Sequence, residues 1–323
     1  MSRGPADTAR PPRAGVDLTV RVGPLALRNP ILAASGTFGY GTELDPYFDL
    51  ESIGGFVTKG LSQFPRRGNP PPRTCETAGG MLNAIGLSNI GVDAFVEERL
   101  PFLRERKTVI IANVFGETQA EYVAVARRLN GARGLHAIEL NLSCPNTERG
   151  GLTFGVSPPV IREVVAAVRR AAPDLPLVVK LTPNITDVAE AGRAARDSGA
   201  DILSLVNTYL GMAIDLEKRR PVLANGVGGL SGPAIKPLAL YQVHKVHREV
   251  GLPVIGMGGI VSAEDVLEFM VAGSSAVQVG TANFFDPGVT ARLVGGIGAW
   301  CRARKVGAVR DLIGTLKPAK GMD

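Results

Sequence analysis

A chain of 323 residues, 45% of them apolar, is long for one β-sandwich but ordinary for a single α/β barrel of roughly 250 residues with insertions, and it can bury a full core. The formal net charge of +6 is spread along the chain, and five tyrosines and one tryptophan show no stacking pattern among the basic residues, which argues against nucleic acid and for an anionic small ligand. No apolar run approaches the roughly 20 residues of a membrane span, no signal-peptide core opens the chain, and three scattered cysteines make neither a disulfide framework nor a four-cysteine metal cluster, so a reducing cytoplasm is expected.

Residues 1–16 are rich in Arg, Pro and Ala without periodicity and read as a disordered tail. Residues 16–22 with 24–27 look like a short hairpin or cap ending at Asn29 and Pro30. From there a pattern recurs: a short apolar run, a Gly, Asn or Lys at its end, then a helix-like stretch. The runs are 31–35, 55–59, 109–114, 137–142, 177–181, 202–207, 253–257 and 276–280. Eight such units predict a closed (β/α)8 TIM barrel over residues 17–310, a single domain, with 311–323 as a C-terminal tail. An open dinucleotide-binding sheet would need a G-x-G-x-x-G turn after its first strand, and residues 31–38 lack one.

The helices between the runs carry recognisable ends. Ser157 stands before Pro158 as an N-cap ahead of a first-turn proline, with Val160, Ile161, Val164, Val165 and Val168 forming an apolar stripe. Ser262 with Asp265 resembles a capping box closed by Gly273, and Thr186 and Gly199 bracket another helix. Two connections, 60–91 and 208–233, are longer than a barrel requires, and loops of that length usually carry function.

Three groups of residues could carry chemistry. Glycines follow strands seven and eight, GMGGI at 256–260 and Gly280 with Thr281, where barrels commonly bind phosphate on backbone N–H groups and a helix N-terminus. Lys59, Asn113, Asn141, Lys180 and Asn207 close strands two to six. An interior lysine calls for an anion, and asparagine suits a ring of alternating C=O and N–H groups.

The third group lies at strand four, where Ala137, Glu139, Asn141 and Ser143 alternate with Ile138, Leu140 and Leu142, turning a carboxylate, an amide and a hydroxyl to one side. The strand runs into Cys144, a thiol that could serve as nucleophile or base. His136 precedes the strand at the opposite end of the barrel, and His244 and His247 lie in a helix. A thiol without a histidine partner fits a proton acceptor for a carbon acid better than a hydrolytic nucleophile.

In order along the chain, ASGTFG, GGMLNAIGLSN, IIANVFG, ELNLSCPN, VVKLTPN, LVNT, GGLSGP, GMGGI and VGTANF resemble dihydroorotate dehydrogenase, over residues 18–287. MLNAIGL and GGLSGPAIKP look like the class 1B subtype, whose FMN subunit pairs with an electron-transfer subunit to reduce NAD. The resemblance implies oxidation of dihydroorotate to orotate in pyrimidine synthesis, with Cys144 taking the C5 proton while C6 delivers hydride to flavin N5. It implies FMN contacts at Ser35, Lys59, Gly60, Asn113, Asn141, Lys180, Val206, Gly232, Gly258, Gly259, Gly280 and Thr281. Substrate contacts would come from Lys59, Asn83, Ala84, Ile85, Gly86, Leu87, Asn141, Asn207 and Thr208. Lys180 would lie near flavin N1, where a positive charge stabilises the anion of the reduced ring.

It further implies a homodimer joined by a subunit carrying FAD and a 2Fe-2S cluster, a heterotetramer, because three cysteines cannot ligate that cluster here. The alternatives are a fumarate-linked class 1A enzyme or a non-catalytic barrel that binds a phosphate ligand. A membrane-bound relative that uses serine as base is disfavoured by Cys144 and by the lack of a membrane helix.

Overall fold

A computed structural model of the chain describes residues 15–43, 49–143 and 153–318. Eight parallel strands close into a barrel in sequential order: β1 Ile31–Ala33, β2 Gly55–Val57, β3 Val109–Val114, β4 Ala137–Asn141, β5 Leu177–Lys180, β6 Ile202–Leu205, β7 Val254–Met257 and β8 Ser274–Val279. Each matches one of the eight expected runs. The ladder stops short of the run ends at 35, 59, 142, 181, 207 and 280, because there the chain leaves its neighbour's hydrogen bonds to enter the loops above. Those six residues therefore stand at the rim.

Helices pack outside: α1 Gln119–Asn130, α2 Pro158–Ala171, α3 Val188–Arg196, α4 Lys236–Val250, α5 Ala263–Ala272 and α6 Val289–Ala303, with a shorter helical segment over 92–103. In α2 the stripe buries Ile161, Val164, Val165 and Val168 against the sheet, with Val160 at its edge. Both faces of every strand are covered, so β3 is buried along its whole length, as a parallel sheet sandwiched by helices requires.

Two of the expected helix starts differ. Ser157 occupies the N-cap of α2, but its side chain makes no capping bond. Asp187, not Thr186, caps α3 by accepting from the N–H of Ala189, and α3 ends at Arg196 ahead of Gly199. A carboxylate offers a stronger acceptor than a hydroxyl to the free first-turn amides and is further favoured by the helix dipole. At α5 the capping box forms in full: Ser262 accepts from Asp265, Asp265 accepts from Ser262, and Gly273 ends the helix at φ +125°.

The N-terminal hairpin pairs Val20–Val22 with Leu25–Leu27 and buries its alternate residues; the turn at Gly23 lies against Asp201 and Ile202, closing the N-terminal end of the barrel. Residues 1–14 lie outside the described residues. The 3-10 turn Val309–Leu312 straddles the start of the tail expected at 311, and within that tail the amides of Gly314 and Leu316 bond to Met270 and Val271 of α5.

The two long connections come together. Thr74–Thr77 and Gly80–Asn83 from the first pair antiparallel with Gly228–Ser231 and Tyr209–Gly211 from the second, in the order 209–211, 228–231, 80–83, 74–77. This four-stranded sheet stands over the C-terminal mouth. It fixes two loops against each other across more than 140 residues of sequence, the separation of the Asn83 to Gly229 bond being 146.

Candidate active site

The polar residues expected at the strand ends meet in the barrel mouth. Deepest is Glu139 of β4, fully buried, which accepts from Asn113 Nδ2 at 2.7 Å on β3, from Ser204 Oγ at 3.0 Å on β6 and from Gln278 Nε2 at 2.6 Å on β8. Lys180 Nζ of β5 stands 3.7 Å from the same carboxylate. Five strands thus contribute to one cluster. The side of β4 that carries a carboxylate does face a polar interior, and Glu139 is satisfied by donors on all sides, as a buried anion must be.

Above this floor the expected residues fall into two groups. In the first, the turns after β7 and β8 lie side by side, since those strands are paired. Gly258 and Gly259 have φ of +128° and +75°, conformations that favour glycine; a Cβ on Gly259 would lie 2.8 Å from Lys236 Cβ and 2.9 Å from the carbonyl oxygen of Gly232. A Cβ on Gly258 would meet Ala239, Ile235 and Val206, so Val206 and Gly232 border the same turn. Thr281 donates its hydroxyl to Ser231 at 2.7 Å, which joins the β8 end to the covering sheet. Gly280 faces Ala34 and Thr37, the neighbours of Ser35 in the turn after β1. Among the described residues no hydrogen bond uses the backbone N–H of Gly258, Gly259, Gly280 or Thr281. Four free donors at adjacent strand ends are suited to an anion.

The second group begins with Lys59 at the end of β2. Its N–H donates to the carbonyl of Gly39 at 2.7 Å, and its half-buried ammonium is pushed below the usual lysine value, first by burial and then by the nearby positive charge of Arg73, with Glu43 opposing. Gly60 follows, close enough that a Cβ there would sit 3.1 Å from Asn113 Oδ1. Asn141 Oδ1 accepts from Asn207 Nδ2 at 3.4 Å and from the Ser143 amide at 3.1 Å. Thr208 donates its amide to Asn207 Oδ1 at 2.8 Å, and its side chain lies against Gly229 of the covering sheet. Asn83 reaches the same sheet, donating to the Gly229 carbonyl at 3.4 Å.

Residues 84–87 are held from behind: Ala84 bonds through its amide to the Arg73 carbonyl, the Ile85 carbonyl accepts from Asn69, and Gly86 and Leu87 take positive φ of 72° and 58°. Asn89 braces the segment, donating to Ser62 Oγ and the Leu87 carbonyl and accepting from the amides of Ser62 and Gly91.

Cys144, the sequence's leading candidate, lies outside the described residues, one position beyond Ser143. His136 stands away from the mouth, its Nδ1 accepting from the Ile110 amide near the start of β3 and its pKa lowered mainly by burial. His244 and His247 are on α4.

Sequence reasoning did not single out Gln278, Ser204, Arg73 or Asn89. A polar residue inside an otherwise apolar strand was the available signal for the first two; Arg73 carries none, being one of several arginines in a Pro-rich loop.

The dihydroorotate dehydrogenase family model matches residues 17–300. A relative from Trichlorobacter lovleyi, named dihydroorotate dehydrogenase B (NAD(+)), catalytic subunit, is 55% identical over 93% of this chain and 98% of its own length. Relatives of the same name from Pelobacter propionicus and Geobacter sulfurreducens are 55% and 53% identical, each over 93% of this chain and covering 99% and 98% of their own lengths. With a closed barrel, a polar mouth and a family model spanning nearly all of it, the chain belongs to the dihydroorotate dehydrogenase family.

Proposed function

We propose that the chain is the catalytic subunit of an NAD-linked dihydroorotate dehydrogenase, oxidising (S)-dihydroorotate to orotate in pyrimidine biosynthesis. The observation that carries this reading is the half-buried, partly desolvated Lys59 at the end of β2, in a barrel whose other strand ends carry Asn113, Asn141 and Asn207, with Asn83 on the sheet over the mouth and free amides in the turns after β7 and β8. A cation held out of water asks for a carboxylate, and the amides match a ring bearing carbonyls and N–H groups.

The residues fit FMN. Asn113 Oδ1 is buried and has no donor among the described residues, and the flavin ring offers one N–H between two carbonyls. Lys180, with Glu139 behind it, brings a positive charge to the same level. The free amides of Gly258, Gly259, Gly280 and Thr281 suit a phosphate, with Ser35, Gly60, Val206 and Gly232 along the way. When bound, FMN supplies the two-electron acceptor for the hydrogen leaving C6.

The chain's own part is to hold and deprotonate. Cys144 takes the C5 proton onto its thiolate, and Lys59 offsets the substrate's charge. Asn141, Asn207 and Thr208 orient the ring from the barrel side, and residues 83–87 hold it from the covering sheet. Among the described residues the site groups sit on strand ends and braced turns, so little reorganisation of those groups accompanies binding.

The relatives are named as catalytic subunits, and we read the chain as pairing with an electron-transfer subunit. Cys75 lies on the covering sheet and Cys301 is buried in α6, and the three thiols of the chain fall short of the four that such a cluster takes. FAD and 2Fe-2S therefore belong to the partner, and two copies of each chain make the complex. We read the chain as working in the cytoplasm, from its three scattered cysteines; no helix among the described residues is long and apolar enough to cross a membrane.

An anaerobic visible spectrum of the purified chain, before and after dihydroorotate, tests the reading. Flavin bands that bleach support it. Bands that persist overturn the substrate, and a protein that stays colourless after FMN is added back returns the chain to a phosphate-binding barrel. Turnover with NAD that requires a co-purified iron-containing subunit supports the partner; full NAD turnover by an iron-free homodimer overturns it.

A further inference from the structure

We infer that Glu139 is a positioning residue that sets the hydrogen-bond polarity of the ligand-facing floor, compelling Asn113 to present its carbonyl oxygen, and not its N–H2 group, to the flavin. The inference rests on the FMN reading above and goes beyond it, because it concerns a residue buried beneath the ligand.

A carboxylate surrounded by donors accepts and never donates. Any amide that faces it must turn its N–H2 inward, and its oxygen then points the other way. Both amides in the cluster obey: Asn113 Nδ2 and Gln278 Nε2 bond to Glu139 at 2.7 and 2.6 Å, while Asn113 Oδ1 and Gln278 Oε1 are buried with no partner among the described residues. The Asn113 oxygen lies beside Gly60, where a Cβ would come within 3.1 Å of it, so that bare glycine leaves the approach open. An orphaned buried acceptor is costly in a network built only for stability. A floor that displays an acceptor to a ligand N–H accounts for it. Fixing this choice from below also prevents the amide from rotating by 180°, which would set N–H against N–H.

The test reverses the polarity. In Glu139→Gln, the new amide can donate to Asn113 Oδ1, and Asn113 is then free to turn its N–H2 to the ligand. In Glu139→Gln combined with Asn113→Asp, the introduced glutamine donates to the new carboxylate, whose second oxygen again faces the ligand, and the summed charge of the pair is unchanged. The full-length chain, stripped of flavin and titrated with FMN, reports affinity through flavin fluorescence and the visible spectrum.

Glu139→Gln is expected to bind FMN at least about tenfold more weakly than wild type, the equivalent of one mismatched buried bond. The double variant is expected to regain most of that loss. Equal affinity in Glu139→Gln, or a double variant no better than the single one, overturns the inference. Should Glu139→Gln fail to fold, the double variant alone decides: folded protein within about tenfold of wild-type affinity supports the inference, and unfolded or non-binding protein overturns it. Absence of FMN binding by wild type would overturn the functional reading and this inference together, whereas tight wild-type binding with indifferent variants removes this inference alone.

Discussion

Lys236 Nζ stands 2.5 Å from Asp265 Oδ1, and the other oxygen of that carboxylate accepts from the amides of Val261 and Ser262 at 2.9 and 2.8 Å. The start of α4 is thereby tied to the start of α5, and the turn after β7 is pinned between them. The bonds also occupy the amides of Val261 and of the N-cap Ser262, just ahead of α5. What remains for an anion is the N–H set of Gly258 and Gly259, one turn earlier. Burial works to raise the pKa of Asp265, but the Lys236 ammonium and the two amides outweigh it, and the net result lies below the ordinary 3.8.

A group depressed in the folded state contributes stability that is present above its unfolded pKa and lost as pH falls through the folded one. Asp265→Asn is therefore expected to be less stable than wild type by about 1–2 kcal/mol near neutral pH. Above about pH 5 the melting-temperature difference should be constant, and it should shrink once pH drops below 3.8. Thermal melts at stepped pH check this; a difference that grows in acid would contradict the assigned bonds.

Lys59 titrates below 10.5 because it is buried and because Arg73 is near. A ligand carboxylate binds the charged form, so orotate affinity should fall as pH rises through the lysine's lowered pKa. Replacing Arg73 with Gln removes one cause of the lowering and should move that fall to higher pH. Orotate titrations in a Cys144→Ser background, where no thiol ionises beside the ligand, isolate the effect. Superimposable pH curves with and without Arg73 would show that the two cations do not interact.

Two glycines of the proposed phosphate region should respond differently. Gly259→Ala combines a φ of +75° with a Cβ 2.8 Å from Lys236 Cβ, and a loss of about 1–3 kcal/mol in stability is expected along with FMN affinity. Gly280→Ala meets nothing nearer than 3.5 Å, so the fold should hold within about 0.5 kcal/mol while FMN affinity still drops. Denaturant unfolding of the flavin-free chain beside FMN titration separates the two. Normal FMN binding by Gly280→Ala would remove that turn from the site.

Cys144→Ser should slow reduction of bound flavin by dihydroorotate by about a hundredfold or more near neutral pH, since a hydroxyl is a far weaker base than a thiolate. Partial recovery at alkaline pH is expected, and the wild-type rate should itself rise with pH as the thiolate forms. Rapid-mixing absorbance under anaerobic conditions measures both. An unchanged rate in the serine variant would remove Cys144 from the proton-transfer step.

Local patterning carried much of this architecture. Eight apolar runs become eight strands because each is short, β-branched and bounded by Gly, Asn or Lys, and the Ser262 and Asp265 capping box forms as spaced because both partners lie within one turn of helix. The alternation in 137–143 showed that β4 turns polar groups to one side, which is a property of the extended backbone alone. The competition between Thr186 and Asp187 for one cap was less legible, since adjacent acceptors serve the same amides and backbone geometry chooses between them.

By itself, then, the sequence determined the strand count, the barrel and the polar rim, all of which follow from interactions a few residues long. Only the tertiary structure decided that the connections at 60–91 and 208–233 are one antiparallel sheet, and that Glu139 is met by Asn113, Lys180, Ser204 and Gln278 from four other strands. Those partners are up to 139 positions distant, as Gln278 is from Glu139. Closure of the barrel brings them together, and no local period or motif encodes which side chains will then stand opposite one another.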